Sequence, residues 1–169
     1  DKTVAIIGAG RIAAKLIEML PVFGVRIIAV TRSGREVAGA DESFAMADAG
    51  KVWGEADIVV VLAPLTDETR HMINRDVFAL MKPSAVLVNV ARGPLVHTDD
   101  LVEALRSGQI GGAALDVTDP EPLPDGHPLW DFPQCLITPH TANTFTVIEQ
   151  RMGGLVVANA AAFEAGERM

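Results

Sequence analysis

The sequence predicts an α/β domain: a doubly wound parallel sheet covered by helices on both faces, in three αβα layers. Three observations carry that prediction. Short, continuously apolar runs recur along the 169 residues, as expected of strands buried on both faces. Helical patterns alternate with those runs, which implies crossover connections and parallel pairing. The first run also leads straight into a glycine turn that opens a helix.

That first strand is Thr3 to Ile7. Gly8-Ala9-Gly10-Arg11-Ile12-Ala13 follows, and Ile12, Leu16, Met19 and Leu20 then recur at helical spacing. Gly8 permits the sharp turn, Gly10 lets a pyrophosphate approach the backbone, and Ala13 lets helix and strand pack closely. The first-turn N–H groups have no partners within the helix, so an anion is favoured there. Strand, glycine turn and helix in this order mark a Rossmann-type dinucleotide site; the plainer reading is a tight βα turn with no ligand.

Arg26 to Val30 is the second strand, ending at Thr31-Arg32-Ser33-Gly34-Arg35. This end lies about 20 residues past the glycine turn, where the fold ordinarily places an acid on the ribose hydroxyls. Here the position holds Arg32, with Ser33 beside it and Arg35 nearby. A carboxylate would repel a 2′-phosphate, whereas a guanidinium grips one with two hydrogen bonds. NADP(H) is therefore the preferred cofactor, with NAD(H) possible. The plainer reading makes both arginines solvated loop residues.

Asp41 to Ala49 reads as a short helical segment. Asp57 to Leu62 is the third strand, stopped at Ala63-Pro64. Arg75 to Met81 reads as a helix packing Val77, Phe78 and Met81, with Pro83 after it. Ala85 to Val90 is the fourth strand, ending at Ala91-Arg92-Gly93. Thr98 is the expected N-cap of the next helix and Gly108 its exit. Gly111 to Val117 is the fifth strand, followed by an acidic, proline-rich loop from Thr118 to Pro128. Leu136 to Thr138, the sixth, leads to Pro139-His140. A last helix is expected from about Asn143 to Ala165, with Val147, Ile148, Leu155, Val156 and Phe163 as core contacts.

Ligands on such sheets bind at the carboxyl ends of strands. Gly8, Arg32, Pro64, Arg92, Asp116 and His140 all stand at or just beyond such ends, so they are expected along one edge. Hydride transfer also moves a proton to or from the substrate oxygen. Arg92 can supply a cation for a substrate carboxylate and carbonyl, His140 an acid/base, and Glu121 a carboxylate that orients the histidine. Asp116 and Asp119 are rival carboxylates, and His140 could simply cap the helix that follows. His71, His97 and His127 read as exposed rather than catalytic. No spacing resembles a zinc or calcium site, so no metal is expected.

Composition limits the partners. Net charge is −8 and 49% of residues are hydrophobic, which argues against nucleic acid or a membrane surface. No apolar run is long enough to span a bilayer. The single Cys135 is expected in the core, in an intracellular, cytoplasmic setting.

Several segments together resemble the D-isomer-specific 2-hydroxyacid dehydrogenase family, over essentially the whole chain. They are Val4 to Ala13, Leu62 to Thr66, Asn89 to Gly93, Ala114 to Val117, Glu121 to Leu123, His127 to Trp130, and Thr138 to His140. The resemblance implies that Arg92 meets the substrate carboxylate and carbonyl, that His140 is the proton donor in reduction, and that Glu121 pairs with it. Arg11 and Ile12 match residues at the cofactor pyrophosphate, beside Gly8 and Gly10; Thr31, Arg32, Ser33 and Arg35 are expected at the cofactor from their place after the second strand. Ala63 and Pro64 match the loop along the cofactor. Val90, Ala91, Arg92 and Asp116 match the nicotinamide-side contacts, and His140, Ala142 and Asn143 are expected to bind cofactor beside them. Two departures stand out. The run after the histidine is Thr141-Ala142-Asn143 rather than two glycines, and Arg32 replaces the usual acid, as in glyoxylate and hydroxypyruvate reductases.

The resemblance further implies that residues 1–169 are one NAD(P)-binding domain whose substrate domain is absent from this chain. On that expectation, the fragment binds cofactor but turns over poorly. The parent would be a homodimer acting on a small 2-hydroxy or 2-keto acid. An NAD-dependent phosphoglycerate-type dehydrogenase and a nucleotide-sensing corepressor are the alternatives.

Overall fold

The structure, a computed structural model, describes residues 2–143 and 145–167, with only the backbone of 145–151. It contains two compact units, Asp1–Pro139 and His140–Met169.

The first unit is built on a seven-stranded parallel sheet. Its strands are β1 (Thr3–Ile7), β2 (Arg26–Thr31), β3 (Glu42–Ala45), β4 (Ile58–Val61), β5 (Val86–Asn89), β6 (Gly112–Leu115) and β7 (Cys135–Ile137). They lie in the order β3-β2-β1-β4-β5-β6-β7, so the winding reverses between β1 and β4. Ile7 is in register with Val30 and Val61, Val61 with Asn89, Asn89 with Leu115, and Leu115 with Ile137. These six residues form one row across the sheet. The residues that follow each of them therefore line its carboxyl edge.

Alternation along β1 divides the core into two layers. Val4 and Ile6 pack with Ala13 and Ile17 of α1 (Arg11–Met19) and with Ile27 and Val60. Ala5 and Ile7 face the other layer. There, Val52 and Trp53 of α2 (Gly50–Glu55), Phe78 of α3 (Arg75–Leu80) and Leu101 and Leu105 of α4 (Thr98–Ser107) close over the sheet. Ala13 is fully buried, the close helix–strand packing its small side chain allows. The fold is the doubly wound, Rossmann-type sheet the sequence predicts.

Four expectations for this unit need correction. Residues 41–49 are not a helix: they contain β3, an edge strand added by pairing Ile28–Thr31 with Glu42–Ala45, then a short 3-10 turn over Met46–Asp48. Glu42 is held there by the Arg26 guanidinium, which also reaches Glu55. The cap of α4 is His97, whose Nδ1 accepts from the Asp100 amide at 3.4 Å; Thr98 instead donates to the Asp119 carbonyl at 2.6 Å. His71, His97 and His127 are half-buried rather than exposed. The His71 and His97 rings meet edge-to-face at 4.8 Å, and His127 Nδ1 accepts from Leu129 N. Cys135 is half-buried at the core margin; burial pushes its thiol up to about 11, so it is not a thiolate at neutral pH.

The second unit begins with His140 in the left-handed region, at φ 53°. It continues into α5 (Phe145–Glu164), which ends near Gly166 at φ 69°. Leu155, Val156 and Phe163, expected in the core, are exposed: the apolar residues of α5 are spread around the helix rather than gathered on one face, so helical spacing does not single out a buried side. The side chains of Val147 and Ile148 lie outside the described residues. Among the described residues, no helix is long and apolar enough to cross a membrane.

Candidate functional site

The carboxyl edge gathers most of the predicted site residues in the first unit. Gly8 follows β1 at φ 98°, a conformation that favours glycine. A Cβ there would stand 2.6 Å from the Ala63 nitrogen, so the glycine turn and the strand-end loop after β4 touch through backbone alone. Gly10 differs: it precedes α1 in extended conformation, and a Cβ there would meet no atom within 4 Å. Among the described residues, nothing fills the space its missing side chain leaves, which fits a ligand's approach.

Beside that space lies a groove of about 580 Å³ at the reversal point of the sheet, lined by Ile12, Ala63, Pro64, Val90, Ala91 and Arg92 among others. Ile12 is 69% exposed, an apolar residue on the first helical turn that faces the groove rather than the core. Arg11 and Arg92 are also exposed.

The loop carrying Arg92 is held from beneath by Asn89, which the sequence reading passes over. Asn89 is 1% exposed. Its Nδ2 donates to the Arg92 carbonyl at 2.9 Å and its Oδ1 accepts from the Ala91 amide at 3.1 Å. The available signal was a lone amide ending an apolar strand, a group that must find partners once buried. Gly93 then packs so tightly that a Cβ would lie 1.8 Å from the Thr118 carbonyl. This fixes the loop after β5 against the loop after β6, where Glu121 stands exposed. Asp116, 6% exposed, accepts from Thr138 Oγ1 at 2.6 Å and so ties the ends of β6 and β7.

At the far end of the row, Thr31 is buried and its Oγ1 accepts from the Gly34 amide at 2.9 Å, which shapes the loop bearing Arg32, Ser33 and Arg35. Arg32 and Ser33 are exposed. Arg35 reaches back to the glycine turn: its Nη2 donates to the Ala9 carbonyl at 2.7 Å. His140, Ala142 and Asn143 belong to the second unit and are exposed. Among the described residues, no group of three or more His, Cys, Asp or Glu could hold a metal ion.

A glycine turn at the reversal point of a parallel sheet, with an open groove at its strand ends, defines a dinucleotide-binding domain. The sequence model of the D-isomer specific 2-hydroxyacid dehydrogenase, NAD binding domain, matches residues 1–142, and the chain belongs to that family. It is 60% identical over 169 residues to an uncharacterized protein in the proB 3′ region of Corynebacterium melassecola, covering 100% of this chain and 56% of that protein. It is 40% identical over 166 residues to the glyoxylate reductase of Aeropyrum pernix, covering 98% of this chain and 50% of the relative. Among solved structures, the NADPH-dependent glyoxylate/hydroxypyruvate reductase of Sinorhizobium meliloti, in complex with NADP and sulfate, superposes with a TM-score of 0.91. That match has 33% identity and covers 99% of this chain and 54% of that one. The chain thus spans about half the length of the curated relatives it matches.

Proposed function

We propose that this chain is the nucleotide-binding half of an NADP(H)-preferring 2-hydroxyacid dehydrogenase that reduces small 2-keto acids, in the manner of glyoxylate and hydroxypyruvate reductases. The observation that carries the reading is the groove between Ile12, Pro64 and Val90, with the Arg92 guanidinium at its side. The glycine turn would take the diphosphate on the first-turn amides of α1, and Arg32 with Ser33 would take the 2′-phosphate. Val90 to Arg92 and Asp116 would flank the nicotinamide, and His140, Ala142 and Asn143 are further cofactor contacts of the same reading.

When bound, the nicotinamide supplies or accepts the hydride. The residues of this chain do the remainder. Arg92 holds the substrate carboxylate and polarises the carbonyl. His140 gives the proton to the substrate oxygen in reduction and takes it back in oxidation. Glu121 supports the imidazole in its charged form. The substrate side chain is selected by the part of the protein outside this chain, and a cytoplasmic homodimer belongs to the same reading.

Titrating the chain with NADPH and NADH, followed by reduced-nicotinamide fluorescence, tests the first half of the proposal. Tighter binding of NADPH is expected, and binding of neither overturns it. In the full-length protein, His140→Ala should keep nucleotide binding and lose turnover of glyoxylate or hydroxypyruvate. Unimpaired turnover removes His140 from the chemistry.

A further inference from the structure

The three basic and polar residues after β2 need not act alike. Arg32, Ser33 and Arg35 are all exposed, but Arg35 is engaged: its Nη2 donates to the Ala9 carbonyl at 2.7 Å and its Nη1 to the Glu36 carbonyl at 3.4 Å. Ala9 lies between the two glycines of the turn, one residue before the cap of α1. We propose that Arg35 is a positioning residue for the diphosphate turn, serving either nucleotide, while reading of the 2′-phosphate falls to Arg32. This rests on the nucleotide-binding reading above.

Only the first half of the turn is fixed from outside: Gly8 packs on the Ala63 backbone and is anchored through its amide to the Val30 carbonyl at 2.8 Å, but Gly10 has open space about it among the described residues. Glycines on both sides of Ala9 leave that peptide free to rotate, and rotation would misdirect the amides that receive a diphosphate. A cationic donor on the Ala9 carbonyl restrains the peptide before ligand arrives and sets a positive charge beside the anion's place. The loop that delivers Arg35 is itself secured. Thr31 Oγ1 accepts from Gly34 N, and Ser43 Oγ accepts from Val37 N at 3.0 Å. Gly39 packs on α1, where a Cβ would come 2.8 Å from Ile17 Cγ2.

Two half-ligands separate the roles. ADP carries the diphosphate without a 2′-phosphate; adenosine 2′-monophosphate carries the reverse. In the full 169-residue chain, Arg35→Ala should weaken ADP, NADH and NADPH by the same factor, about fivefold to tenfold for a lost charge-assisted hydrogen bond. Adenosine 2′-monophosphate should be unchanged, and so should the thermal midpoint. Arg35→Lys, which keeps a cationic donor, should recover most of the loss. Arg32→Ala should weaken adenosine 2′-monophosphate and NADPH and spare ADP and NADH. Loss of adenosine 2′-monophosphate binding in Arg35→Ala, a fall in the NADPH-to-NADH preference, or unchanged ADP affinity would overturn the assignment. Failure of the unsubstituted chain to bind either dinucleotide sinks the nucleotide reading instead, and is seen before any substitution is made.

Discussion

The buried carboxamide of Asn89 donates to the backbone carbonyl of Arg92 at 2.9 Å, while its oxygen accepts from the Ala91 amide. The loop that presents the Arg92 guanidinium is thus braced by a side chain one turn upstream. Asn89→Asp keeps the acceptor and loses the donor, leaving two oxygens facing each other in a buried place. It should destabilise the chain by about 2 kcal/mol or more, read as a lower urea midpoint at unchanged slope. A midpoint equal to the parent's would show that the brace contributes nothing.

The two glycines of the turn should separate stability from binding. Gly8→Ala meets the Ala63 backbone and a left-handed φ, so it should cost about 3 kcal/mol or more. Gly10→Ala meets open space and should cost less than about 1 kcal/mol. Yet it should weaken NADPH at least about tenfold by occupying the diphosphate's approach. Circular dichroism melts and nucleotide titrations on both variants check the contrast.

Arg32→Asp should invert the cofactor preference. It removes a charge-assisted partner of the 2′-phosphate and supplies a carboxylate for ribose hydroxyls. The NADPH-to-NADH affinity ratio should fall by about 10- to 100-fold. A ratio that does not move takes Arg32 out of cofactor selection.

Stability should fall on the acid side through Asp57, at the opposite edge of the sheet. The Thr3 amide holds its carboxylate from 3.8 down to about 2, against an opposing effect of burial and with help from Lys2 and Lys82. The folded form binds the proton more weakly than the unfolded form. The resulting stability is therefore full above about pH 4 and is lost as pH falls toward 2, amounting to roughly 2 kcal/mol at most. Urea titrations of the parent and Asp57→Asn at pH 7 and pH 3 should converge as pH drops. A constant gap between them would count against the assignment.

Much of this molecule is legible in its sequence, and the exceptions share a cause. The six apolar strands and the glycine turn are read directly, because a strand buried on both faces has little choice of composition. β3 escapes, since Glu42-Ser43-Phe44-Ala45 carries no apolar run; it is a strand because β2 offers an edge and Arg26 holds Glu42 there. The cap of α4 shifts to His97 because Thr98 has a better partner in the Asp119 carbonyl, a contact between residues 21 apart. The exposure of Leu155, Val156 and Phe163 is not encoded in spacing, because the apolar residues of α5 form no single stripe. At the site, strand ends are predictable from topology. The Asn89 brace and the Arg35 contact with Ala9 depend on loop paths that periodicity does not encode.

The near-contact of Gly93 with the Thr118 carbonyl has a consequence for anyone redesigning this scaffold. The segments bearing Arg92 and Glu121 behave as a single graft. A transplanted loop with any side chain at position 93 would drive its Cβ into the Thr118 carbonyl, so the facing segment would have to be exchanged with it. Natural variation in selectivity within such enzymes should correspondingly arrive as paired loop replacements.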